Sequence, residues 1–263
     1  MKTLISFLLL FSILGGVRVD ALGVDAVARE GSYRWYVKRN SEHLVPELPS
    51  EFSFLSEQDG WYCGIDSQNG TKPLYLTFDA GYENGNIARI LDILKEKDVP
   101  AAFFVLAHLV RRETALVQRM LDEGHLVCNH TASHKDLSRA GAEEFKRELT
   151  ALESVYRDAL GCELSRYYRP PEGTFSLDNL KTAKEMGYKT VFWSFAYADW
   201  DNGRQPNPES AVRKVLDHTH PGAVILLHPT SATNASILPI LIDSWRADGY
   251  TFGTLDELTG SGT

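Results

Sequence analysis

Five short polar signatures run along this 263-residue chain, each where an apolar, strand-like stretch ends. They are TFDAG at 77–81, HTASH at 130–134, RPPEG at 169–173, WSFAYADW at 193–200 and LLH at 226–228. Between them they hold three histidines (His130, His134, His228), two aspartates (Asp79, Asp199) and Arg169. Imidazoles bind metal or move protons near neutral pH, and carboxylates accept protons or ligate. The set is suited to metal-assisted acid–base chemistry.

Read singly, each residue carries two readings. His130 and His134 are four apart with small residues between them, so both rings can face one way on a helical turn and leave room for an ion. The same spacing also describes two surface histidines near a helix start. Asp79 is a metal ligand, a base toward a metal-bound water, or a turn cap. His228 follows AVILL and is a core histidine or a catalytic group. Arg169 precedes Pro170 and Pro171, which hold the backbone extended and stiff. Beside Asp79 it keeps that carboxylate ionised; elsewhere it is a structural ion pair. Asp199 orients His228 by accepting its second ring N–H, or solubilises a loop. Tyr82, Trp193, Tyr197 and Trp200 offer flat faces to pyranose rings, or fill core. Asp79 and Glu83 as a glycosidase pair would leave the histidines without a role. HExxH and GxSxG are both missing, which argues against a zincin protease and a serine hydrolase.

Groups about 150 positions apart share one pocket only if the fold gathers strand ends, as a barrel of parallel strands does. Apolar runs at 74–79, 101–107, 125–129, 166–169, 190–194, 223–228 and 250–254 read as strands. Between them, Ile87, Ile90, Leu91 and Leu94 repeat at helical spacing, as do Phe145, Leu149, Leu152 and Tyr156, and Leu238, Leu241, Ile242 and Trp245. Further helices are predicted at 114–123, 176–186 and 208–218. Gly124, Gly187 and Gly249 each follow a helix, where a left-handed cap is needed. Seven strands alternating with six helices predict an α/β fold with a parallel sheet, a TIM-like barrel one unit short of eight. An open doubly wound sheet is the rival topology, weakened by the missing GxGxxG and GxxxxGK[ST] loops.

Residues 1–21 read as a secretory signal: Lys2, an apolar run, then Val19-Asp20-Ala21. An uncleaved anchor is the alternative, disfavoured because the run is shorter than the ~20 residues a span needs. Residues 22–73 read as an extension whose aromatics pack on the barrel, 74–258 as the catalytic domain and 259–263 as a tail. Formal net charge is −8, and no basic cluster alternates with aromatics, which excludes a nucleic-acid partner. No stable protein partner is expected. Cys63, Cys128 and Cys162 are too few for a disulfide scaffold, and nothing specifies a Cys63–Cys162 bridge.

As an ordered set, the signatures resemble the polysaccharide deacetylase (NodB-homology) superfamily over roughly 74–258. TFDAGYENG, RPPEG, VFWSFAYADWD, HPGAVILLH and the leading WYVKRN are most similar to its delta-lactam-forming peptidoglycan deacetylases, which act on N-acetylmuramic acid. The resemblance implies a distorted (β/α)7 barrel and an exported hydrolase working on a glycan strand stripped of stem peptide. It makes Asp79 the general base, His228 the general acid, and His130 and His134 ligands of one divalent metal, with zinc expected and cobalt or manganese as alternatives. Arg169 would tune Asp79, Asp199 would assist His228, and Tyr82, Glu83, Pro171, Trp193 and Trp200 would contact substrate. The superfamily usually has a metal-binding aspartate where this chain has Ala80. Catalytic zinc normally has three protein ligands, so either a Cys128 thiolate compensates or the ion is held by two. Deacetylation of N-acetylglucosamine glycans, and glycan binding without a metal, are the alternative functions.

Overall fold

The computed structural model describes residues 31–64 and 70–261. The expected signal at 1–21 lies outside the described residues. In chain order the strands are β1 (Tyr33–Arg34), β2 (Gly60–Trp61), β3 (Lys72–Ala80), β4 (Ala102–Val105), β5 (Leu126–Asn129), β6 (Ser165–Tyr168), β7 (Thr174–Phe175), β8 (Lys189–Val191), β9 (Ala223–Leu227) and β10 (Tyr250–Phe252). The helices are α1 (Asn86–Glu96), α2 (Ala107–Arg112), α3 (Thr114–Asp122), α4 (Ala142–Leu160), α5 (Leu177–Glu185), α6 (Pro208–Asp217), α7 (Ala232–Ala247) and α8 (Leu255–Thr259). Every strand and helix expected from periodicity is present. The additions, β1, β2, β7, α2 and α8, are six residues or shorter, too brief to show a period.

The main sheet is parallel, in the order β10-β3-β4-β5-β6-β8-β2, and β9 lies along the other edge of β3. Just past β8, Phe195 bridges Ile225 of β9 in parallel, which curls the sheet around on itself. The doubly wound alternative is thereby excluded in favour of a barrel-like α/β fold.

Strand alternation decides what faces inward. Tyr75, Ala102, Phe104, Cys128, Tyr167, Val191 and Val224 share one buried cluster inside the curl. Residues of opposite parity, such as Leu76, Phe78, Phe103, Val105, Val127, Ile225 and Leu227, pack outward against the helices. Leu255 and Leu258 of α8 join the inner cluster, and Tyr167 donates to Asp256 at 2.6 Å, so α8 packs against the end where the strands begin.

Trp35, Phe52 and Leu55 pack against the outside of the sheet with Phe175, Leu180 and Phe192, and β2 then joins the sheet edge beside β8. Trp35 is buried, stacks on Phe192 with centroids 4.4 Å apart, and donates from Nε1 to the Trp193 carbonyl at 2.9 Å. Arg39 donates to the Ala196 carbonyl at 2.9 Å. This segment therefore braces the loop that carries Asp199. Among the described residues all three cysteines are free, with Cys63 buried and Cys162 exposed.

Candidate active site

One step beyond the inner cluster, the same inward parity reaches Asp79 on β3, His130 after β5, Arg169 after β6, Trp193 after β8 and His228 after β9. Period-2 alternation and parallel strands thus deliver five separate signatures to one mouth.

Arg169 is fully buried. Its Nη1 donates to Asp79 Oδ1 at 2.8 Å, its Nε to the Val191 carbonyl at 2.9 Å and its Nη2 to the Phe192 carbonyl at 3.1 Å. The guanidinium also lies 4.1 Å from the centre of the Phe104 ring. A fork held at three points is a fixed charge beside Asp79. Burial alone would raise the Asp79 pKa, but Arg169, with His130 and His228, outweighs it and holds the carboxyl below its ordinary value. Asp79 is therefore a carboxylate that favours its ionised form and has a fixed orientation.

His130 is buried, contrary to the surface reading. Its Nδ1 faces the Arg169 carbonyl at 2.9 Å, which assigns the proton to Nδ1 and leaves the Nε2 lone pair free, 3.6 Å from Asp79 Oδ2. Burial pushes its pKa down to about 4 against the pull of Asp79, so the ring is neutral at neutral pH. The His134 ring sits edge-on at 5.0 Å. The expected helical turn is not what joins them. Residues 130–134 form a loop with Thr131 at φ 72° and His134 at φ 60°. Asn129 Oδ1 accepts from Thr131 N at 2.8 Å, and Thr131 Oγ1 accepts from His134 N at 2.9 Å. Side-chain bonds to the backbone thus hold the two left-handed residues.

A neutral histidine whose other nitrogen donates to a carbonyl is the usual metal-ligand arrangement. His130 with His134 fits a divalent ion to that extent. Ala80 is buried in the helix-facing cluster and offers no donor. The compensating Cys128 thiolate is corrected: Cys128 lies in the inner apolar layer, and burial raises its thiol far above the ordinary range. Among the described residues no group of three or more His, Cys, Asp or Glu side chains is arranged to hold a metal.

Across the mouth, His228 Nδ1 lies 2.7 Å from Asp199 Oδ1, which leaves Nε2 free. Burial would lower the pKa of His228, but Asp199, with Asp79 adding, raises it above its ordinary value. The other Asp199 oxygen accepts from His228 N at 2.9 Å and from Asn234 Nδ2 at 2.6 Å. Sequence reading missed Asn234. Its only signal is Ser231 three residues earlier, the N-cap of α7, whose hydroxyl accepts from Asn234 N at 3.1 Å.

The aromatic and substrate-contact assignments divide. Trp200 is 59% exposed with its ring edge-on to His228 at 5.9 Å, and Tyr82 is 46% exposed with its hydroxyl bonded to Asn202. Both stand open at the rim. Trp193 is half-buried beside Arg169, at 5.7 Å. Tyr197 is corrected as a stacking platform: it is buried, and its hydroxyl donates to Asn234 Oδ1. Glu83 is half-buried beside Tyr82, and its carboxylate accepts from Gly85 N at 2.8 Å and Ile87 N at 3.0 Å, so it also caps α1. Pro171 is buried at the start of a tight turn in which Glu172 has φ 55°, so it shapes the loop and presents no open face.

The chain's similarities agree with this geometry. Residues 66–191 match the family model for polysaccharide deacetylase. The peptidoglycan-N-acetylmuramic acid deacetylase PdaA of Bacillus subtilis is 39% identical over 240 residues, covering 90% of this chain and 89% of that protein. The peptidoglycan-N-acetylglucosamine deacetylase of Bacillus cereus is 34% identical over 206 residues, covering 75% and 92%. The solved structure of B. subtilis PdaA, a family 4 carbohydrate esterase, superposes with TM-score 0.82 at 37% identity, covering 88% of this chain and 97% of that one.

Proposed function

This chain belongs to the polysaccharide deacetylase family, whose members hydrolyse amide bonds of polysaccharides, and from that premise we propose that it removes the N-acetyl group of N-acetylmuramic acid in peptidoglycan. The observation that carries the reading is the placement of Asp79 and His228 in one mouth, the first held by Arg169 at 2.8 Å and the second by Asp199 at 2.7 Å.

Asp79 takes the proton of the attacking water. Arg169 keeps it charged without competing for that proton. An amine is a poor leaving group until protonated, and His228 supplies the proton from Nε2 while Asp199 holds Nδ1. Each role is typically worth about 10²–10⁴ in rate. His130 and His134 would hold a divalent metal, with zinc expected, which supplies Lewis acidity toward water and the amide carbonyl. Trp200 and Tyr82 offer open faces to the sugar rings. On muramic acid the freed amine lies beside the lactyl carboxyl of the same sugar. Proximity then favours closure to the delta-lactam, provided that carboxyl carries no stem peptide. We place the enzyme outside the membrane, exported by residues 1–21.

The test is mass spectrometry of glycan strands after treatment. Loss of acetyl from muramic residues, with lactam on stem-stripped strands, supports the reading. Deacetylation confined to peptidoglycan glucosamine residues would replace it with the activity named for the B. cereus relative, and deacetylation confined to chitin oligomers would replace it with a chitin-oligomer activity.

A further inference from the structure

The geometry points to Asn234 as a positioning residue for the proton donor: it holds the Asp199 carboxylate, and with it the His228 ring, against α7. The inference rests on His228 as the acid.

Asn234 is 1% exposed and touches no open surface of the mouth. Its Nδ2 donates both to Asp199 Oδ2 at 2.6 Å and to the His228 carbonyl at 3.0 Å. Its Oδ1 accepts from the Tyr197 hydroxyl. The Asp199 carboxylate and the His228 carbonyl only accept, so they draw the Nδ2 end of the amide, and the Tyr197 hydroxyl donates to the Oδ1 end and holds it there. Three elements are thereby tied: the loop after β8 through Tyr197 and Asp199, the end of β9 through His228, and the first turn of α7 through Asn234. Ser231 sets the last, accepting from Asn234 N at 3.1 Å while donating to Gln205 at 2.7 Å.

The consequence is mechanical. Asp199 Oδ1 has His228 Nδ1 as its partner, and Oδ2 has His228 N and Asn234 Nδ2. With Asn234 present, Oδ2 has a donor anchored outside His228, so the carboxylate and the imidazole are held together against α7. Without Asn234, the Asp199 carboxylate, the His228 carbonyl and the Tyr197 hydroxyl each lose a partner, and both donors left on the carboxylate belong to His228 itself, so the pair can shift as a unit. Misaiming a catalytic group from outside the site can cost up to about 10²-fold in rate.

The test has two arms. In proton NMR the His228 Nδ1–H resonance is identified by its loss in His228→Ala. Asn234→Ala is expected to shift it upfield or broaden it, and Tyr197→Phe to move it in the same sense by less. In kinetics of acetate release from stem-stripped peptidoglycan, Asn234→Ala is expected to lower kcat about tenfold or more with KM within about twofold. In an Asp199→Ala background the same change should lower kcat by less than about twofold, since its route is already broken. A resonance unmoved by Asn234→Ala, or a kcat loss that multiplies with that of Asp199→Ala, overturns the assignment. Should Asn234→Ala not fold, an unmoved resonance in Tyr197→Phe overturns it equally. Wild-type protein that releases no acetate removes the proposed activity, while the NMR arm still decides the role of Asn234.

Discussion

The ring of His130 is oriented by the backbone of Arg169, whose carbonyl accepts its Nδ1–H at 2.9 Å. The side chain of the same arginine grips Asp79 at 2.8 Å. One residue therefore sets both the direction of the His130 Nε2 lone pair and the charge of the Asp79 carboxyl. Its perturbation should be felt in two separate measurements.

Arg169→Met leaves Asp79 buried without its main counter-charge. The acid limb of the kcat/KM profile, which in the wild type lies below the ordinary aspartate value of about 3.9, should move upward. The sign follows from the depressed pKa of Asp79. Its stabilising contribution is present above the unfolded value and is lost as pH falls through the folded one. Breaking a buried pair costs about 3–5 kcal/mol, which denaturant unfolding would register. A limb that stays in place would remove Arg169 from the account of Asp79.

Asp79→Asn keeps the shape but cannot accept the proton. Acetate release should fall by about 10²–10⁴. Retained activity in a folded Asp79→Asn protein would end its assignment as base.

His228 works as an acid only while protonated. Its raised pKa places the basic limb above about 6.5, and Asp199→Asn should bring that limb down. Here the sign is reversed: the stabilisation from protonated His228 is complete below the unfolded value and disappears as pH rises through the folded one. Near-normal turnover in His228→Ala would exclude it as the proton donor.

Chelator treatment should abolish acetate release, and zinc, cobalt or manganese should restore it. His134 is exposed, so His134→Ala should lower bound metal, read by elemental analysis, with the melting temperature unchanged. Activity indifferent to chelator would refute the metal assignment. Glycan binding without any acetate release, with or without metal, would favour the binding-protein reading.

Trp200 is 59% exposed, so Trp200→Ala should change stability by no more than about 0.5 kcal/mol. A several-fold rise in KM with kcat held would mark it as a sugar platform. Unchanged KM would return it to the bare surface.

The alternation of apolar strands and amphipathic helices was legible because each element buries one face at its own period. The strand-end positions of Asp79, Arg169 and His228 followed from that. The convergence of His130 and His134 was legible only as spacing, since the loop joining them depends on two left-handed residues held by Asn129 and Thr131. Asn234 and the structural role of Tyr197 were hidden, because an asparagine in a helix's first turn and a tyrosine near a strand end have many uses. The second role of Glu83 was hidden for a related reason: the sequence shows a carboxylate near the site, and only coordinates show that it also caps a helix N-terminus.

The side chains layered inside the curl, with α8 beneath them, leave no passage from one end of the barrel to the other. If the proposed function holds, a glycan strand would lie across the rim and present one sugar at a time, and the released acid would leave by the side on which the sugar entered.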